Sequence, residues 1–278
     1  MSDFRYWLRW VRNERRRLAK VARYRRATGL RPFRLSELRN KRRSDTLFVL
    51  GSGASINRLD DADWDTIARH DSIGLNFWML HRFVPDFYMF EAGPTGERTR
   101  DFERFLSERA DRYRDVPLIY KDTDRHQLNL AALPDQIVAN MRVLNKINLP
   151  IDEERFLRRA LTWALRLRVP RITDLQLFAR VSIVQAISIG AAMGYKEIIL
   201  AGVDLNNIRY FWQDDPELSW FGVAQSGTVH KTMVKDQFLP VDRIIDTVEN
   251  VWLKPAGIRL YCGHATSALH PQLPAYFT

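Results

Sequence analysis

The chain contains a single cysteine, Cys262, in 278 residues. That excludes a disulfide framework and any multi-cysteine metal site, and it suits a reducing compartment. Long apolar runs are missing too. The most apolar stretch, "VSIVQAISIGAAMGY" at 181–195, falls short of the roughly 18 residues that a spanning helix needs and carries Ser182, Gln185 and Ser188. The first residues hold no apolar signal-peptide core. There is no internal repeat and no low-complexity tract. These absences set the expectation of a cytoplasmic protein. With 46% hydrophobic and 12% aromatic residues, the chain can bury a sizeable core and is not a disordered one.

Acidic charge is scarce in one region only. Residues 1–44 hold 16 Lys and Arg against Asp3, Glu14 and Glu37, a net of +13. The remainder holds 27 basic and 30 acidic residues, a net of −3, so the overall +10 belongs to the N-terminal part. This places a boundary near Ser44: a basic N-terminal arm, 1–44, and a body, 45–278. Within the arm Phe4, Trp7, Leu8, Val11, Leu18, Val21 and Ala22 recur at helical spacing, and Gly29 and Pro32 close the pattern. Arginines fill the other face, and Tyr6, Trp7 and Trp10 cluster at one end. Three readings compete: a helix lying on an anionic membrane face with its tryptophans among the headgroups, a charged helix docked on the body by its apolar stripe, and a nucleic-acid-binding arm. The tryptophans favour the membrane reading over nucleic acid, which needs none on the apolar stripe.

Beyond Ser44 strands and helices alternate. "TLFVLG", "DSIGLNFW", "PDFYMFEAG", "VPLIYKD", "KEIILAGVD" and "IRLYCG" read as strands. "LDDADWDTIARH" reads as a helix capped by Asp60 or Asp61. "TRDFERFLSERADRY", residues 152–168 up to Pro170, "ARVSIVQAISIGAAMGY" and "LPVDRIIDTVENVWLKPAG" read as further helices. This alternation predicts an α/β fold, a mainly parallel Rossmann-like sheet with helices on both faces. Ligands on such sheets bind beyond the carboxyl ends of the strands.

That rule selects Gly51, Ser52, Gly53 and Ser55 after the first strand, Asn76 after the second, Glu91 after the third, and Asp204, Asn206 and Asn207 after "IILAGV". The loop "GSGAS" lacks the third glycine of a dinucleotide fingerprint, since Ile56 stands there, and it lacks the GK[ST] ending of a P-loop. It is phosphate-compatible without being diagnostic, because glycine lets backbone N–H groups approach an anion. Asp61-Ala-Asp63, Asp63-Trp-Asp65 and Asp122-Thr-Asp124 match D-x-D, a carboxylate pair suited to Mg²⁺ or Mn²⁺. The first two read as helix-start charges, and Asp122 with Asp124 follows a strand.

Taken together, "LFVLGSGASINRLDDADWDTIARHDSIGLNFW", "MGYKEIILAGVDLNN", a late "HK" before a helix and "IRLYC" resemble one family over about Leu47 to Pro271. It is that of the bacterial CMP-sialic-acid-dependent sialyltransferases with a variant single-Rossmann fold, with relatives that use other nonulosonic or ulosonic sugars. The resemblance implies that Ser52, Gly53 and Ser55 contact CMP and that Asn76 bonds the nucleotide. Ser182 would contact donor sugar or cytidine, and Asp204 would bind ribose or orient the loop. Glu91 replaces a third-strand asparagine, where an unpaired carboxylate would repel a carboxylated sugar. Asn206 and Trp212 stand near the positions of two phosphate-holding tyrosines, which passes that task to Tyr210 or Arg209. His230, in "SGTVHKTM", matches the general base, with His264, in "YCGHATS", as its competitor. The implied activity is transfer of a sialic-acid-like or Kdo-like sugar from CMP to a glycan or glycolipid hydroxyl, inverting, with no cofactor and no essential divalent metal. A metal-dependent transferase of nucleotide-diphosphate sugars, a pyrophosphokinase-like enzyme and a non-enzymatic basic RNA or membrane adaptor are the rival readings.

Overall fold

The computed structural model describes residues 3–93, 95–121, 123, 127–221 and 229–277. Helix α1 (Asp3–Thr28) leads into strand β1 (Arg31–Pro32) and helix α2 (Leu35–Arg39). Strands and helices then alternate as β2 (Thr46–Leu50), α3 (Asp61–Ala68), β3 (Asp71–Leu75), β4 (Phe87–Phe90), α4 (Gly96–Glu108), β5 (Leu118–Tyr120), α5 (Asp135–Asn140) and β6 (Met141–Val143). Next come β7 (Asn145–Asn148), α6 (Glu154–Arg166), α7 (Val169–Ile172) and β8 (Leu175–Phe178). The chain continues through α8 (Ser182–Met193), β9 (Glu197–Ala201), α9 (Val241–Val248), β10 (Arg259–His264) and β11 (Ala275–Phe277).

Nine strands form one sheet in the order β1-β6-β5-β4-β3-β2-β9-β10-β11, with every described pairing parallel. A parallel sheet is covered on both sides, so its strands are apolar throughout. All five residues of β2 are buried, and they still alternate by face. Leu47 and Val49 join a core with α6, α8 and α9, while Phe48 and Leu50 join one with α3, α4 and α5. The expected α/β architecture is therefore the observed one. Helix α8 lies close on the sheet: a Cβ on Gly190 would come within 2.8 Å of Leu47 Cδ2. It ends at Gly194, whose φ of 92° only glycine adopts freely.

Two local expectations change. Strand β3 stops at Leu75, because Asn76 turns into a left-handed conformation (φ 53°). Pro170 does more than stop α6: it sits in the first turn of α7, where its missing N–H is not needed.

The charge division at Ser44 is not a division in packing. β1 pairs with β6, and Phe33, Leu35 and Leu38 are buried in the core beside α8. Helix α1 is docked as well. Tyr6 stacks on Phe156 at 4.0 Å and its hydroxyl donates to Asp152. Trp10 Nε1 donates to Asn148 O at 2.8 Å, and Glu14 accepts from Asn148 N–H. Trp7 packs against Phe156 and Trp163. The tryptophans thus face the body, and the headgroup role expected of them is corrected. No helix among the described residues is long and apolar enough to cross a membrane.

Candidate active site

The strand order reverses between β2 and β9, since β3 to β6 extend one way and β10 and β11 the other. The cleft at such a switch point is where open α/β sheets bind ligands. Here the two strand ends are bonded together. Gly51 N–H donates to Ala201 O at 2.7 Å and Gly53 N–H to Gly202 O at 2.8 Å. Neither position admits a side chain: a Cβ would meet Gly202 O at 2.5 Å from Gly51, and Asp204 Oδ2 at 2.6 Å from Gly53. Glycine is therefore required by backbone approach.

Asp204 completes the closure. It is buried, and it accepts from Ser55 N–H at 3.0 Å, from Ser55 Oγ and from Asn207 Nδ2 at 3.4 Å. The bonds from Ser55 tie Asp204 to the glycine loop. Ser52 O accepts from Phe211 N–H, and Gly53 forms a bridge with Tyr210, so the segment after Asp204 folds over the glycine loop. In that segment Tyr210 stacks on Trp212 at 4.6 Å, Arg209 pairs with Asp214, and Asn206 Nδ2 donates to Thr266 O.

Asn76 lies one strand over. Its Nδ2 donates to Ser182 Oγ at 3.3 Å, its carbonyl accepts from Tyr88 hydroxyl, and its Oδ1 is buried without a partner among the described residues. Ser182 is the first residue of α8, a helix whose N-cap, Val181, offers no side-chain bond. Glu91, at the end of β4, is not an unpaired carboxylate. Lys121 Nζ, at the end of β5, lies 2.5 Å from its Oε2, and that lysine is almost fully buried.

His230 reaches the same end of the sheet through its backbone, which donates to Leu205 O at 3.1 Å. Its Nδ1 is 2.8 Å from Thr232 Oγ1. The same Nδ1 faces Thr232 N–H at 3.4 Å; the tautomer with the proton on Nδ1, donating to the threonine hydroxyl, is the one that leaves Nε2 its lone pair. Burial, then the charges of Lys231 and Arg180, push its pKa below the ordinary histidine value, so the ring is neutral at pH 7. His264 repeats the pattern at the end of β10: its Nδ1 is 2.9 Å from Thr266 Oγ1. His81 instead packs among the rings of Trp64, Trp78 and Phe211, its pKa held down to about 4 mainly by burial.

Sequence reasoning missed Arg180, Lys121 and Thr232. Arg180 adopts a left-handed backbone (φ 59°) just before α8. Its guanidinium donates to the carbonyls of Phe238, Leu239, Val234 and Lys231 and meets Asp236. One side chain thus fastens the His230 segment to the start of the helix that bears Ser182. Nothing local in the sequence signals this, because the partners lie more than fifty residues away.

Asp60 caps α3 and pairs reciprocally with Asp63, so the first D-x-D is a helix start. Asp122 and Asp124 lie outside the described residues. Among the described residues, no group of three or more His, Cys, Asp or Glu could hold a metal ion.

No protein-family model matches the chain, and no curated protein matches it in sequence. Among solved structures it is similar to the sialyltransferase CST-II in complex with a trisaccharide acceptor and CMP. That match has a TM-score of 0.45 and 14% identity, over 83% of this chain and 85% of that one. It is also similar to the monofunctional α-2,3-sialyltransferase Cst-I from Campylobacter jejuni, at a TM-score of 0.45 and 12% identity, over 83% and 80% of the two chains. These figures describe a loose likeness in chain course and assign no residue a role.

Proposed function

We propose that the protein is a glycosyltransferase that moves a sialic-acid-like or Kdo-like sugar from its CMP ester to a hydroxyl of a glycan or glycolipid, with inversion, at the cytoplasmic face of the inner membrane. One observation carries the reading. At the carboxyl ends of the strands beside the switch point, Asn76 has an Oδ1 that is buried without a partner among the described residues, next to Ser182, and a neutral His230 is fastened to the chain just past Asp204. The glycine loop and Asn76 hold the nucleotide. The positive end of the α8 dipole and Ser182 favour an anionic group of the donor. Lys121 neutralises Glu91, so the carboxylate of the sugar is not repelled.

In the step itself His230 Nε2 takes the proton from the acceptor hydroxyl as the acceptor oxygen attacks the anomeric carbon. The bond from that carbon to the phosphate oxygen breaks, and CMP leaves with the electron pair. The developing oxocarbenium-like charge is shared with the sugar ring oxygen. A single phosphate carries less charge than a diphosphate, so the proposal needs no divalent ion or other cofactor.

A thermal-shift panel tests the donor class, because a bound ligand raises apparent stability. CMP and CTP are expected to raise Tm most, with no added effect of Mn²⁺. A larger shift with UDP plus Mn²⁺ than with CMP overturns the reading in favour of a metal-dependent transferase.

Arg180 supplies a second test. Its charge helps to depress the pKa of His230 and its bonds hold the segment. The acid limb of the rate profile therefore lies below the ordinary value of ~6.5. Arg180→Met is expected to move that limb upward and to lower turnover. A packing role alone would lower turnover and leave the limb in place.

A further inference from the structure

The tryptophans of α1 face inward, and a different face of the same helix is left without a partner. Successive helical residues turn by about 100°. On that geometry Tyr6, Trp10, Arg17, Val21 and Tyr24 share one arc of about 60°, the arc against the body. Phe4, Leu8 and Val11 share another arc of about 60°, well away from the first. They are 71%, 56% and 46% exposed. Arg5, Arg9, Arg12 and Arg16 flank this stripe on one side, Arg15 falls within its arc one turn beyond Val11, and all five are exposed. On the other side Trp7 touches Trp163 of α6, and Leu167, just past the end of α6, and Ile172 of α7 are exposed apolar residues. The two acids of α1 do not offset the arginines: Asp3 is paired with Arg155, and Glu14 with Arg17.

We infer that this stripe is the surface by which the protein lies on an anionic phospholipid bilayer, with Phe4, Leu8 and Val11 entering the headgroup boundary and the arginines meeting lipid phosphates. The occupant follows from the charge. Apolar side chains bordered by cations on one exposed helix face match a surface that is apolar below and anionic above. A nucleic acid would engage the arginines but gives no reason to expose three large apolar residues among them. The inference rests on the membrane part of the proposed function and not on its chemistry. It also places the active site near its substrate. Tyr6 bonds Asp152, and the neighbouring Ile151 O accepts from Leu239 N–H, at the end of the segment that Arg180 fastens. The membrane-facing helix and the His230 segment thus converge on residues 151–152, which suits a lipid-borne acceptor.

The experiment is co-sedimentation of the full chain with phosphatidylglycerol–phosphatidylcholine vesicles and with pure phosphatidylcholine vesicles, at low and high salt. The wild type is expected to bind only the anionic vesicles, and less at high salt. F4S/L8S/V11S, and separately R5Q/R9Q/R12Q, are expected to lower binding at least about tenfold with Tm unchanged. W10F, which loses only an inward hydrogen bond, is expected to bind like the wild type. Transfer to a soluble acceptor should be the same in all of them, so a failed membrane face is told apart from a failed transferase reading. Undiminished vesicle binding by F4S/L8S/V11S overturns the inference. So does binding to an RNA oligonucleotide that requires the arginines while vesicles are ignored, and so does a dimer that the serine substitutions dissociate while vesicles are ignored.

Discussion

Replacing His230 by alanine is expected to lower sugar transfer by roughly 10²- to 10⁴-fold, the usual contribution of a positioned general base. The loss should appear in turnover with the donor saturating, since the missing interaction belongs to the transition state. CMP binding should survive, because the nucleotide is assigned to Asn76 and the glycine loop. The sharp control is His264→Ala. Both histidines have Nδ1 against the hydroxyl of a threonine two residues on, so their local geometry is equivalent. Their surroundings differ: the pKa of His230 is depressed, and its segment is fastened by Arg180. His264→Ala is therefore expected to cost less. Thr232→Val removes the hydroxyl at Nδ1 and leaves only the backbone N–H of residue 232 there, and it should give a smaller loss than His230→Ala. Near-normal transfer by His230→Ala, with transfer abolished by His264→Ala, would reassign the base to the end of β10.

The centre of this fold was legible because its signals are local. "TLFVL" followed by glycines, and "KEIILAG" followed by "VD", are apolar runs ended by residues that only a strand end tolerates. Helix α8 was legible from its length and from Gly194. What escaped depends on distant partners. Phe33, Leu35 and Leu38 belong to the core, yet they sit in an arginine-rich stretch whose charge reads as a solvated arm. Helix α1 has two apolar faces, and periodicity marks apolar positions without saying which face docks, so its tryptophans were assigned to the wrong side. Strands β7 and β8 pair across two intervening helices and are only four residues each, too short for a pattern of their own. Lys121 read as the end of a strand, and the sequence could not show that it neutralises Glu91 thirty residues earlier.

Asp204→Ala is expected to lower stability by about 2–4 kcal/mol and to weaken CMP binding at least about tenfold, because the site depends on the loop this carboxylate holds. Asp204 is buried and accepts from both the N–H and the hydroxyl of Ser55. Hydrogen bonds to a charged acceptor contribute about 1.5–3 kcal/mol each, and alanine leaves both donors without it. Asp204→Asn should be milder: its oxygen can still accept from Ser55 N–H, and its amide can donate to Ser55 Oγ. Gly53 gives an independent check. A Cβ there would meet Asp204 Oδ2 at 2.6 Å and Gly202 O at 2.8 Å, so Gly53→Ala should be destabilising by itself. In the double variant Gly53→Ala/Asp204→Ala the first of those contacts is gone and the second remains. The two losses should therefore add to less than their sum, a coupling that a thermodynamic cycle measures. A ribose-binding role forecasts something else: Asp204→Ala would lose CMP affinity with its melting temperature intact, and the cycle would show no coupling to Gly53. That outcome would make Asp204 a direct ligand of the nucleotide and leave the closure of the glycine loop to the backbone bonds of Gly51 and Gly53 alone.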